Sequence, residues 1–309
     1  MRPTRSDFRR AAFSAALTCG ALFATTSAQA LNVFTCEPEW AALVKQLAPA
    51  ADVRSATHAR QDPHHIEARP SLIAQLRQAD LAVCTGADLE AGWLPTLQQR
   101  SGNPRVQKGA PGMLFAADHL TLIDPRPNAS ASDGDVHAAG NPHAHLDPRR
   151  VLEIAEVLAR RLEAVDPPGA SGYRSRLAAF RTDWQARIAQ WERRAAPLRG
   201  MRVAAQHSTF AYVWRWLGIE QVADLEPKPG VPPTPGHLQK ILDAAKGAPP
   251  RAIVVSAHQD PRAGQWLAQQ LGAGATLLQL PSTVTDEPPA NTLAALFDHL
   301  IERLLAAQR

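Results

Sequence analysis

Residues 171–198 read SGYRSRLAAFRTDWQARIAQWERRAAPL. Tyr173, Leu177, Phe180, Trp184, Ile188 and Trp191 recur at three- and four-residue steps, a single apolar stripe along one helical face. Pro197 marks its end, because proline cannot continue a helix. The stretch lies between two blocks of similar pattern. It therefore reads as a connecting helix between an N-terminal lobe, 31–170, and a C-terminal lobe, 199–309.

In the first block, short apolar runs at Asn32–Cys36, Asp52–Thr57 and Leu81–Cys84 read as strands, with a fourth at Leu120–Ile123. Trp40, Leu43, Val44 and Leu47 share a helical face between them, and Pro70-Ser71 opens another helix. Residues 125–142 are rich in Asn, Ser, Ala, Gly and Asp and read as a surface loop. Val151, Ile154, Leu158 and Leu162 then mark a helix that Asp166-Pro167-Pro168-Gly169 stops. The second block repeats the plan. Its strands are Val203–Gln206, Gln221–Asp224, Ala252–Ser256 and Thr276–Leu280. An amphipathic helix from Leu293 to Leu304 closes it. Strand–helix alternation predicts an α/β fold: two lobes with parallel sheets flanked by helices, joined by one long helix. Ligands of such sheets sit beyond the C-terminal strand ends, here the cleft between lobes.

Residues 1–30 read as a signal peptide. Arg2, Arg5, Arg9 and Arg10 precede an apolar stretch that ends in Ala28-Gln29-Ala30. Cleavage there predicts a periplasmic protein. It also removes most of the net charge of +4, so the pI of 9.2 is no argument for a nucleic-acid partner. Two cysteines remain, Cys36 and Cys84, each at the end of an apolar run. They are either one disulfide or two buried thiols, since pairing depends on a Cα geometry that sequence does not contain.

Of the 11 histidines, several stand at strand-to-loop or loop-to-helix junctions. His64 lies in Asp62-Pro63-His64-His65, His143 in Asn141-Pro142-His143-Ala144-His145-Leu146-Asp147-Pro148, and His207 in Gln206-His207. Neutral imidazole is the commonest metal-binding side chain, and three from separate loops can share one tetrahedral ion. One such histidine alone is more often an ordinary surface residue.

In order and spacing these words resemble the metal-binding receptors of zinc and manganese ABC importers, over nearly the whole chain after the leader. Asp62-Pro63-His64 with Glu67-Ala68-Arg69-Pro70-Ser71 is similar to that family's first ligand loop. Asn141-Pro142-His143 with Leu146-Asp147-Pro148 is similar to the second, and Gln206-His207 with Phe210 and Tyr212 to the third. The resemblance implies a receptor that binds metal between its lobes and delivers it to an ABC-type membrane permease, with no catalysis. It implies His64, His143 and His207 as ligands. Histidine at the third position implies zinc, where many manganese members carry Glu.

The sequence departs from the family at the fourth ligand, usually an Asp after the last strand. Here Leu280 is followed by Pro281-Ser282-Thr283, and Asp260, His258 or a water are the candidates. Asp62 and Asp147 are candidates to orient imidazoles, and His65 and His145 flank the expected ligands. Asp133, Asp135, His137 and His119 resemble a short form of the family's metal-capturing loop. A zinc hydrolase, with Glu67 as base, and a periplasmic zinc buffer without a transporter are the competing functions. The protein is expected to be monomeric.

Overall fold

A computed structural model describes residues 30–129 and 133–308. The leader expected at 1–30 lies, but for its last residue, outside the described residues. Strands β1 (Asn32–Thr35), β2 (Asp52–Ser55), β3 (Leu81–Cys84) and β4 (Met113–Phe115) form a parallel sheet in the order β2-β1-β3-β4. Strands β5 (Arg202–Ala205), β6 (Glu220–Asp224), β7 (Ala252–Ser256) and β8 (Thr276–Leu280) form a second, in the order β6-β5-β7-β8. Every pairing in both sheets is parallel. Helices α1 (Pro38–Leu47), α2 (Pro70–Gln78), α3 (Leu94–Ser101) and α4 (Pro148–Val165) belong to the first lobe. Helix α5 (Ala170–Ala195) joins it to the second, which carries α6 (Ala211–Leu217), α7 (Pro235–Ala245), α8 (Arg262–Leu271) and α9 (Leu293–Gln308).

The fourth strand of the first sheet is not Leu120–Ile123. It is Met113–Phe115, paired with β3 through Ala82↔Met113 and Cys84↔Phe115. Gly112 leads into it where a Cβ would come within 2.5 Å of the Arg105 carbonyl, so only glycine fits. Leu120, Leu122 and Ile123 pack against the core from a loop instead.

Helix α5 buries Tyr173, Phe180, Trp184 and Trp191, and leaves Leu177 and Ile188 partly covered. Trp184 and Trp191 meet Phe297 of α9 with ring centroids 5.8 and 5.1 Å away. Trp184 also donates its indole N–H to the Pro148 carbonyl at 2.7 Å, at the start of α4. One apolar core therefore runs from β1, α1 and α4 through α5 to β5, β7 and α9. Among the described residues no helix is long and apolar enough to cross a membrane.

Cys36 and Cys84 form a disulfide, with Cα atoms 4.7 Å apart. They continue the β1–β3 register one step beyond Thr35↔Val83, which places them side by side. A crosslink between residues 48 apart constrains the unfolded chain by about 4 kcal/mol in the chain-entropy account.

Beside this bridge lie two buried carboxyl groups. Glu90 accepts the backbone N–H groups of Thr85 at 2.6 Å and Gly86 at 3.0 Å. Glu37 accepts the Thr85 hydroxyl at 2.9 Å, and that hydroxyl in turn accepts the indole N–H of Trp40. Burial, then repulsion from Glu90 and Glu39, pushes the Glu37 pKa well up. Burial pushes Glu90 up to about 7, against the hydrogen bonds it receives. Both values lie above those of the unfolded chain. The stability they contribute is thus complete below the ordinary carboxyl range and is lost as pH rises through about 7. Thermal melting between pH 5 and 8 should therefore show a Tm falling with pH, and Glu37→Gln should flatten that slope. An unchanged slope in the variant would rule the pair out as its source.

Candidate metal centre

The three expected ligands stand at the C-terminal edges of the sheets. His64 follows β2, in a turn where Asp62 Oδ1 accepts its backbone N–H at 3.0 Å and its Nδ1–H at 2.7 Å. Although burial opposes it, the hydrogen bonds from the His64 ring and backbone hold the Asp62 carboxyl well below its usual range. An ionised carboxylate only accepts, so the His64 proton sits on Nδ1 and Nε2 presents a lone pair.

His207 lies two residues past the end of β5, with φ +65°. A non-glycine residue held there costs about 1–3 kcal/mol and is retained where its surroundings impose it. Those surroundings are two carboxylates. Asp224 Oδ1 accepts the His207 backbone N–H at 3.1 Å, and Glu226 Oε2 accepts its Nδ1–H at 3.0 Å. Burial disfavours the His207 cation, but the hydrogen bond and charge of Glu226 outweigh it and raise the pKa. Nε2 again faces the cleft.

His143 precedes a short turn, Ala144–Leu146, that leads into α4. Its Nε2 is buried and has no hydrogen-bond partner among the described residues. Burial, then the neighbouring imidazoles of His64 and His207, pushes its pKa well below the usual value, so the ring is neutral. A buried acceptor without a partner costs about 1–3 kcal/mol. A metal ion would relieve that cost.

One nitrogen from each of the three rings lies within 4.8 Å of the other two. Ring centroids are separated by 5.5 to 5.8 Å. Bonds of 2.0–2.1 Å in a tetrahedron place donor nitrogens ~3.3 Å apart, so the set closes by contracting from separations within 4.8 Å. The lobes are fastened at this point. Asn141 donates its Nδ2–H to the Ser208 carbonyl at 2.8 Å, and Tyr212 donates its hydroxyl to the Asn141 carbonyl at 2.9 Å. The cleft around the rings has a volume of about 780 Å³.

Asp260 does not join the group. It is exposed and bound to Arg262, accepting its backbone N–H at 3.0 Å and its Nε–H at 2.6 Å, an arrangement that caps the start of α8. Asp147 is likewise a cap. It accepts the Arg149 backbone N–H at 2.9 Å and pairs with the Arg149 guanidinium rather than with an imidazole. His145 bonds the Ser282 carbonyl through Nε2 at 2.8 Å, and its Nδ1 lies 3.0 Å from Glu39 without forming a hydrogen bond. His65 is exposed, 3.7 Å from Asp135. His258 lines the same cleft. His137 places its Nε2 3.2 Å from Nε2 of His64. Sequence reasoning missed Glu226, two residues past the end of β6, because its role depends on β6 lying beside β5.

Residues 33–307 match the family described as ZnuA, zinc-uptake complex component A, periplasmic. The chain belongs to this family. It is a family of substrate-binding receptors, not enzymes. A crystal structure of a ZnuA superposes with a TM-score of 0.75 at 21% identity, covering 91% of this chain and all of the other. The zinc-binding lipoprotein AdcA of Streptococcus pneumoniae is 22% identical over 83% of this chain and 51% of its own length. The manganese-binding lipoprotein MntA of Halalkalibacterium halodurans is 26% identical over 60% of this chain and 57% of its own. The chain thus spans about half the length of these curated relatives.

Asp62→Asn and Glu226→Gln leave three imidazoles in this ZnuA-family cleft but replace the accept-only carboxylates that fix their tautomers with neutral amides that can donate as well as accept. Each should weaken divalent-metal affinity by roughly 10–100-fold in a chelator competition, with the fold intact by circular dichroism. Unchanged affinity would show that the carboxylates do not orient the rings.

Proposed function

We propose that this protein binds zinc through His64, His143 and His207 in the cleft between its lobes, in the periplasm, and presents it to an ABC-type membrane permease. The observation that carries the reading is the convergence of three imidazoles, two of them already turned toward one point by carboxylates behind them. The curated relatives named above include a zinc-binding and a manganese-binding protein, so the donor atoms must decide between the metals. Three neutral nitrogens suit zinc, whereas manganese prefers carboxylate and water oxygens. Asp62 and Glu226 offset the ion's charge from behind the rings without becoming ligands.

A receptor with one core through both lobes has little freedom to swing open. On this reading the bare ion is released when the permease distorts the ligand turns, and the receptor acts as a monomer. Metal binding would displace protons from any charged imidazole, so capture weakens as pH falls.

Titration of the protein beginning at Leu31 with zinc and manganese tests the reading. One zinc per chain is expected, with manganese bound far more weakly. His64→Ala, His143→Ala and His207→Ala should each lower zinc affinity at least tenfold, about 1.4 kcal/mol. Manganese binding as tight as zinc would overturn the choice of metal. Zinc binding that survives all three changes would overturn the site.

A further inference from the structure

Away from the three imidazoles, one further group among the described residues gathers donors suited to a metal. Sγ of Cys36, Sγ of Cys84 and a carboxylate oxygen of Glu90 lie within 4.8 Å of one another, and all three residues are buried. The two sulfurs are joined in the disulfide. Thiolates, which reduction would make of them, are the sulfur ligands that zinc takes.

The fold fixes this meeting. Cys36 and Cys84 extend β1 and β3 in register, and the Cys36 N–H donates to the Val83 carbonyl at 2.9 Å. The turn after β3 folds back so that Glu90 accepts the N–H groups of Thr85 and Gly86. Gly86, Ala87 and Asp88 all have positive φ there, at +81°, +49° and +65°. Such a run is retained where its surroundings impose it. Here it wraps the chain around the Glu90 carboxylate.

The surroundings of the group are short of positive charge. Among the described residues neither Glu90 nor Glu37, which follows Cys36, forms an ion pair. Glu90 accepts backbone N–H groups and Glu37 accepts the Thr85 hydroxyl. Glu37 is 2% exposed, and its Oε1 is buried with no hydrogen-bond partner among the described residues. Burial holds both carboxyl pKa values up, and at Glu37 repulsion from Glu90 adds to it. A cation here would offset that buried negative charge. Glu37 and Leu89, the chain neighbours of Cys36 and Glu90, line the cleft, so the group lies one residue behind its wall.

We propose that Cys36, Cys84 and Glu90 form a second metal site for zinc, closed while the disulfide stands and opened by its reduction. The reductant is a dithiol. Its two electrons break the S–S bond, its two protons pass to the Cys36 and Cys84 sulfurs, and it leaves as its own disulfide. Zinc binding then releases both thiol protons to solvent as two sulfur–metal bonds form, with Glu90 as the oxygen donor. The ion replaces the covalent crosslink between β1 and β3, so the first lobe keeps a staple in either state. The site is independent of the three imidazoles.

Cobalt(II), standing in for zinc, is the probe. It is added without oxygen to the protein beginning at Leu31, before and after reduction by a phosphine that is then removed. The disulfide form should bind one cobalt with no sulfur-to-cobalt charge-transfer band. The reduced form, with its circular dichroism unchanged, should bind a second and gain that band. Cys36→Ser with Cys84→Ser should hold the protein to one cobalt under both conditions. Glu90→Gln should lower affinity for the second cobalt at least about tenfold and leave the first unchanged. His64→Ala, His143→Ala and His207→Ala made together should remove the first cobalt and keep the second, which separates this site from the receptor reading. A reduced wild type that binds a single cobalt without the band overturns the proposal. So does one that loses its circular dichroism on reduction, because the donors then no longer meet. A band that survives Glu90→Gln at full affinity overturns the assignment of Glu90.

Discussion

The turn that carries His143 is hydrogen-bonded to the turn that carries His207. Asn141 reaches Ser208, and Tyr212 reaches back to Asn141, so ligands from the two lobes share one framework. Behind this fastening stand the aromatic rings of α5 and α9, which join the lobes through one core. A cleft built this way holds its nitrogens close together before any ion arrives. Little conformational entropy is then left to lose on binding, which is how preorganisation becomes affinity. The same construction explains why a long helix, rather than a pair of crossing strands, suits the connection. It fixes a separation and leaves the loops at the strand ends as the adjustable parts.

Electrostatics complete the arrangement. Ligand rings must be neutral to bind, yet the ion they hold is doubly charged in a partly dry cleft. Carboxylates placed behind His64 and His207 meet the second demand, and the one behind His207 does so while favouring the charged ring, from which the metal must displace a proton. Each fixes a proton on the distant ring nitrogen and supplies negative charge at one remove. Among the described residues His143 has no such partner, and its depressed pKa keeps it neutral by burial and by repulsion from the other rings. Exposed ion pairs such as Asp260–Arg262 shape loops but contribute little energy.

Much of this was legible in the sequence, for identifiable reasons. The apolar stripe of α5 and the runs at Ala252–Ser256 and Thr276–Leu280 are long enough to show their period, and they match the structure. A three-residue strand has too few positions to show any period, so Met113–Phe115 went unseen and the longer apolar run at Leu120–Ile123 was read in its place. His64, His143 and His207 stood out because each occupies a junction. Glu226 did not, because its role depends on β6 lying beside β5, a fact of sheet order. Asp260 looked available because sequence shows the carboxylate and Arg262 two residues on, but not the contact between them. His137 was legible as a residue of a polar loop, whereas its place against His64, 73 residues earlier, required the fold.

The central claim is that imidazoles from both lobes hold the metal. Zinc-edge X-ray absorption on the zinc-loaded protein measures that directly, because it reports donor type and distance around the ion itself. The account predicts a shell of nitrogen or oxygen neighbours only, at about 2.0–2.1 Å, with the outer-shell scattering of at least three imidazole rings. Sulfur neighbours at about 2.3 Å, or a shell without imidazole scattering, would place the ion elsewhere and contradict it.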